Sequence, residues 1–230
     1  MTTFALVHGA WHGPWCWERL VGPLRDRGHD VVTPELPSED TELGLDDYAE
    51  TIDRALGDAD DVVLVPHSLG GLVGPVVAGR RPLRALVYLT ALVPEPGLSF
   101  SNQLSASSEP ILLFEGGRMV DDEGRSYWGD PDATARIMYG DLSPEDAAWA
   151  VERLRPQAQR SQTEPSPAPP PGTRVESIIG ANDRVVSPAW SRRVARERLG
   201  VGPIELPTGH FPMITHSELL ADALAQLDAE

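Results

Sequence analysis

The sequence predicts an α/β fold, a mostly parallel central sheet flanked by helices with a small inserted cap. Three observations carry this. Apolar runs suited to buried strands recur along the chain, separated by segments of helical length. The alternation stops after Leu92-Val93-Pro94-Glu95-Pro96-Gly97 and resumes near Val175. The run Val62-Val63-Leu64-Val65 ends on Pro66-His67-Ser68-Leu69-Gly70-Gly71, which reads as a serine on a tight turn between a strand and a helix.

Taken in order, residues 4–7 form the first strand. Residues 17–25 have the helical spacing of apolar positions and stop at Gly28. Residues 31–33 give the second strand, and 46–55 a helix whose Tyr48 and Ile52, four apart, face the sheet. Residues 62–65 are the third strand and run through the Ser68 turn into a helix; 85–89, 175–179 and 204–206 complete the sheet. The intervening stretch predicts short helices at 132–139 and 144–154. The second is opened by Ser143 as N-cap, with Glu145 and Asp146 in its first turn. Residues 163–172, rich in proline, read as a stiff extended return to the sheet. The whole is one domain, 1–230, with a core of 1–93 and 172–230 and a cap insert at about 94–171.

At 230 residues the chain is long enough to bury a substantial core. Its formal net charge of −16 opposes approach to nucleic-acid phosphates and to anionic membrane surfaces, so neither is an expected partner. Cys16 is the single cysteine, which excludes an internal disulfide framework and a cysteine-rich metal site. The first residues lack a basic, then apolar, leader pattern, and no apolar run is long enough for a bilayer, so a cytoplasmic location is expected. A homodimer is left open.

Parallel strands share one polarity, so the loops after the third, fifth and sixth strands leave the same edge of the sheet. These loops carry Ser68, Asp183 and His210. Chemistry assigns the roles: His210 takes the Ser68 proton and returns it to the leaving group, while Asp183 fixes the imidazole tautomer. Each residue has a plainer reading: Ser68 as a helix cap, Asp183 as a turn residue after Gly180, and His210 as a loop histidine on backbone. Glu95, after the fourth strand, is the runner-up acid. The turn His8-Gly9-Ala10-Trp11-His12 follows the first strand, and its Ala10 N–H with that of Leu69 would make the oxyanion hole. His8 and His12 lack a clear third ligand, so packing is preferred over metal, and neither metal nor cofactor is expected. Trp11, His67, Trp128, Met138, Trp149 and Phe211 are the candidate pocket residues, with Phe114 and Met119 as further apolar side chains of the insert.

The chain resembles the α/β-hydrolase superfamily, and within it the methylesterase and hydroxynitrile lyase group with related bacterial esterases. The matching pieces are His8-Gly9-Ala10-Trp11-His12-Gly13-Pro14-Trp15-Cys16-Trp17, Gly28-His29, His67-Ser68-Leu69-Gly70-Gly71, Gly180-Ala181-Asn182-Asp183 and Gly209-His210-Phe211-Pro212-Met213. The lyases of that group place a threonine in the first loop and a lysine just after the histidine, where this chain has Gly9 and Phe211. The resemblance therefore implies a serine hydrolase that cleaves a small or aromatic carboxylic ester or lactone through an acyl-serine. A non-hydrolytic enzyme of the fold (a cofactor-free oxygenase, an acyltransferase, a cyclase or a lyase) and a small-molecule receptor are the alternatives.

Overall fold

Strands buried on both faces read as continuous apolar runs, and three of this chain's strands are buried from end to end. A computed structural model describes residues 1–229, and the side chains of 1–227. The sheet strands are β1 (Thr3–Val7), β2 (Asp30–Val32), β3 (Val62–Pro66), β4 (Ala85–Leu89), β7 (Val175–Gly180) and β8 (Ile204–Leu206), while β5 (Arg118–Val120) and β6 (Ser126–Trp128) form a separate antiparallel hairpin. The six run in the order β2-β1-β3-β4-β7-β8, every neighbouring pair parallel. Their bounds lie within one residue of the sequence expectation.

The helices are α1 (Glu18–Asp26), α2 (Leu45–Leu56), α3 (Gly74–Arg80), α4 (Phe100–Ala106), α5 (Pro131–Met138), α6 (Pro144–Val151), α7 (Arg160–Thr163), α8 (Pro188–Val194), α9 (Pro212–Thr215) and α10 (Ser217–Ala229). Helix α1 packs on α10, and α2 on α3. As the four-residue spacing requires, Tyr48 and Ile52 are buried. Ser143 caps α6 by accepting the Asp146 N–H at 3.1 Å. Cys16 lies in the core.

Helix α4 and the β5–β6 hairpin are findings that the sequence pattern did not disclose. The three residues of β5 are all exposed, so no alternation marks them, and α4 owes its start to the Ser99 hydroxyl, which accepts the Asn102 N–H at 3.2 Å. Among the described residues no helix is long and apolar enough to cross a membrane.

Pro66 sits where the ladder can spare a donor. Its neighbour His67 bonds back to Val7 O at 2.9 Å, so the missing Pro66 N–H faces β4 instead. There the regular β3–β4 pairs stop at Leu64↔Leu86 and pairing returns only as the single bridge His67↔Leu89.

Candidate active site

The order of the sheet reverses between β1 and β3, and this switch point is where clefts form at the carboxyl edge. Val7 pairs with Pro66, so the loops beginning at His8 and His67 leave the sheet side by side. At Ser68 the backbone enters the left-handed region with φ 51°, a conformation that costs a non-glycine residue about 1–2 kcal/mol. The turn is closed by Gly70 N–H to His67 O at 2.8 Å and tied to the β4 loop by Leu92 N–H to Ser68 O at 2.9 Å. The fit is close. A Cβ on Gly9 would stand 2.7 Å from Ser68 Cβ, and one on Gly71 would stand 2.2 Å from Leu92 O.

Asp183 and His210 meet because β7 and β8 are paired up to Gly180↔Leu206 and their loops remain joined by Asn182 N–H to Thr208 O at 3.0 Å. Asp183 Oδ1 accepts the N–H groups of Val185 at 2.7 Å and Val186 at 2.9 Å. Its Oδ2 lies 2.7 Å from His210 Nδ1. A carboxylate only accepts, so Nδ1 carries the proton of this bond, and an uncharged ring so bonded has its lone pair on Nε2. That Nε2 is buried and has no hydrogen-bond partner among the described residues, Ser68 Oγ included.

The structure ties Ser68 to His210 through the serine's neighbour. His67 Nε2 donates to His210 O at 3.0 Å, the two rings are 4.7 Å apart, and Thr90 Oγ1 donates to the same carbonyl at 3.0 Å. Burial, and after it the closeness of His210 and His12, holds His67 well below the usual histidine range. Glu95, the alternative acid, is instead half-exposed and paired with Arg198 at 2.9 Å.

In the first loop, His8 Nδ1 donates to Gly9 O at 3.0 Å and its Nε2 accepts the Leu36 N–H at 3.1 Å. His12 Nδ1 donates to Ala10 O at 2.7 Å and its Nε2 accepts the Tyr139 hydroxyl at 2.7 Å. Each ring thus spends both nitrogens on protein groups. Burial pushes His8 down to about 4 and His12 down to about 3. The N–H groups of Ala10 and Leu69 donate to no protein acceptor among the described residues, which leaves them able to face a developing negative charge.

The remaining candidate side chains scatter. Trp11 is pinned under the hairpin, its Nε1 donating to Ser126 O at 3.1 Å with its ring edge-on to Trp128 at 5.5 Å. Trp128 borders a groove between α5 and α6. Met138 borders a small cavity shared with Asp141, Arg184 and His210. Trp149 packs on Trp15 at 5.2 Å under the guanidinium of Arg153. Phe211 is fully buried, stacked on His12 at 4.9 Å. Met119 is exposed, and Phe114 packs against Trp128. Three residues at the site gave no signal as such in the sequence: Thr90, Tyr139, and Asp141, whose Oδ2 accepts the Gly209 N–H at 3.1 Å. Thr90 alone was reachable, since it follows a strand at the same sheet edge.

Known proteins match this architecture. The profile of the alpha/beta hydrolase family matches residues 4–223. A carbendazim hydrolyzing esterase of Nocardioides sp. is 30% identical over 243 residues, covering 99% of this chain and 100% of its own. Methyl jasmonate esterase 1 of Vitis vinifera is 30% identical over 173 residues, 66% of either chain. The crystal structure of a pyrethroid hydrolase from Sphingobium faniae superposes with a TM-score of 0.81 at 24% identity, covering 99% of this chain and 98% of that one. With the family profile spanning nearly all of the sequence and a relative aligned along its full length, the chain belongs to the alpha/beta hydrolase family.

Proposed function

We propose that the chain is a cofactor-independent serine esterase that cleaves a small or aromatic carboxylic ester, a methyl ester or a lactone among them. The observation that carries this reading is the buried Asp183–His210 pair at 2.7 Å, its Nε2 unpartnered, at the sheet edge that also holds Ser68 at φ 51°. Relatives named as esterases support the same chemistry. His210 Nε2 takes the Ser68 hydroxyl proton as Oγ attacks the ester carbonyl, and Asp183 stabilises the imidazolium. The carbonyl oxygen becomes an oxyanion between the N–H groups of Ala10 and Leu69. Its collapse expels the alcohol, which receives the proton from His210 and leaves an acyl-Ser68 ester. Water, deprotonated by the same imidazole, then releases the acid and restores the serine.

A fluorophosphonate should label the wild type at Ser68. Ser68→Ala should lose both the label and hydrolysis across a panel of methyl and aryl esters, with turnover down by roughly six powers of ten. A folded wild type that takes no label and turns over no ester overturns the reading.

A further inference from the structure

The residue proposed to supply the first oxyanion donor lies between two peptide planes, and a histidine ring holds each of them. In a trans peptide the C=O of one residue and the N–H of the next point in opposite directions, so fixing the carbonyl aims the donor. Gly9 O, the carbonyl of the peptide that carries the Ala10 N–H, accepts from His8 Nδ1 at 3.0 Å and from the His12 N–H at 3.4 Å. Ala10 O, in the following peptide, accepts from His12 Nδ1 at 2.7 Å.

The far nitrogens are anchored too: His8 Nε2 on the Leu36 N–H, His12 Nε2 on the Tyr139 hydroxyl. Tyr139 closes α5 within the inserted segment and is 1% exposed. The loop needs holding. Trp11 sits at φ 63°, a left-handed position that an aromatic side chain adopts only under constraint. Both rings are buried and neutral, so each presents one donor and one acceptor in fixed order.

We propose that His8 and His12 are positioning residues that clamp the peptides on either side of Ala10, with Tyr139 as the anchor through which the inserted segment keeps this oxyanion donor aimed. The proposal rests on the esterase reading above. A preorganised donor acts on the transition state and not on the bound ester, so its misalignment lowers kcat and leaves KM nearly unchanged.

The test compares Tyr139→Phe, His12→Asn and His12→Leu in the full chain, each checked for folding by circular dichroism. Tyr139→Phe keeps the ring and removes the anchor. His12→Asn can place an amide N–H where Nδ1 stands, while His12→Leu leaves Ala10 O without its donor. Removing one oxyanion donor outright costs about 10²–10³ in kcat. Tyr139→Phe should therefore lower kcat about tenfold and His12→Leu about a hundredfold, while His12→Asn, which restores the donor to Ala10 O but not the Tyr139 anchor, should match Tyr139→Phe. Affinity for a trifluoromethyl ketone that adds to Ser68 should fall in step with kcat, while KM moves less than about threefold. An inert wild type, or a fully active Ser68→Ala, overturns the esterase reading and this role with it. A wild type whose activity depends on Ser68, beside folded variants with unchanged kcat and unchanged inhibitor affinity, overturns the clamp alone. Loss confined to KM does the same.

Discussion

At the residue scale the Asp183 carboxylate is held so that each oxygen has its own task. Oδ1 is occupied by the Val185 and Val186 N–H groups, which leaves Oδ2 for His210. In Asp183→Asn those two N–H groups select the amide oxygen, so the NH₂ must turn toward the imidazole. His210 then keeps its proton on Nε2, the wrong nitrogen for a base. The expected outcome is a folded protein with kcat lower by about four powers of ten, measured on the best ester of the panel. Activity within tenfold of wild type would remove Asp183 from the role. Ser68, Asp183 and His210 could be singled out as candidates because each follows a run recognisable as a strand. His67 was read as a pocket candidate beside Ser68, since nothing in a linear sequence says that its ring reaches the carbonyl of His210 at 3.0 Å. The tyrosine that meets His12 was hidden for the same reason: the two are 127 positions apart.

At the scale of elements, β3 connects stability to the site, because the same strand fills the core and delivers the serine. All five of its residues are buried, Leu64 fully. Leu64→Ala should destabilise the protein by about 3 kcal/mol, read as a lower urea midpoint with the slope unchanged. A shift of less than about 1 kcal/mol would mean the strand is less tightly packed than its burial indicates. The central strands and their helices could be read from sequence because burial on both faces leaves long apolar runs. The hairpin of β5 and β6 could not, being three residues a side with Met119 turned to solvent. Pro66 immediately precedes the serine turn, at a position where a strand would ordinarily donate to its neighbour. The ladder explains why it fits: its missing N–H falls at the gap between Leu64↔Leu86 and His67↔Leu89.

At the scale of the whole molecule, buried neutral imidazoles make the fold sensitive to acid. An unfolded histidine binds a proton near pH 6.5, whereas His8 resists it down to about 4 and His12 down to about 3, and His67 is likewise depressed. The unfolded chain therefore takes up more protons as pH falls below 6.5, and stability present above that value is progressively lost toward 4. By pH 5 His8 and His12 should each cost about 2 kcal/mol, a loss visible as a falling Tm between pH 7 and 5, before most carboxylates titrate. A flat Tm across that interval would mean these rings are not buried as neutral bases. The bonds between the first loop and residues 126–155 have one more consequence. Arg155 N–H meets Trp11 O at 3.0 Å, Arg155 Nε meets His12 O at 3.0 Å, and Trp11 Nε1 meets Ser126 O at 3.1 Å. A hinged door made of those residues would tear out its own frame on opening. Entry that keeps these three bonds intact is left to the rearrangement of individual side chains around the first loop.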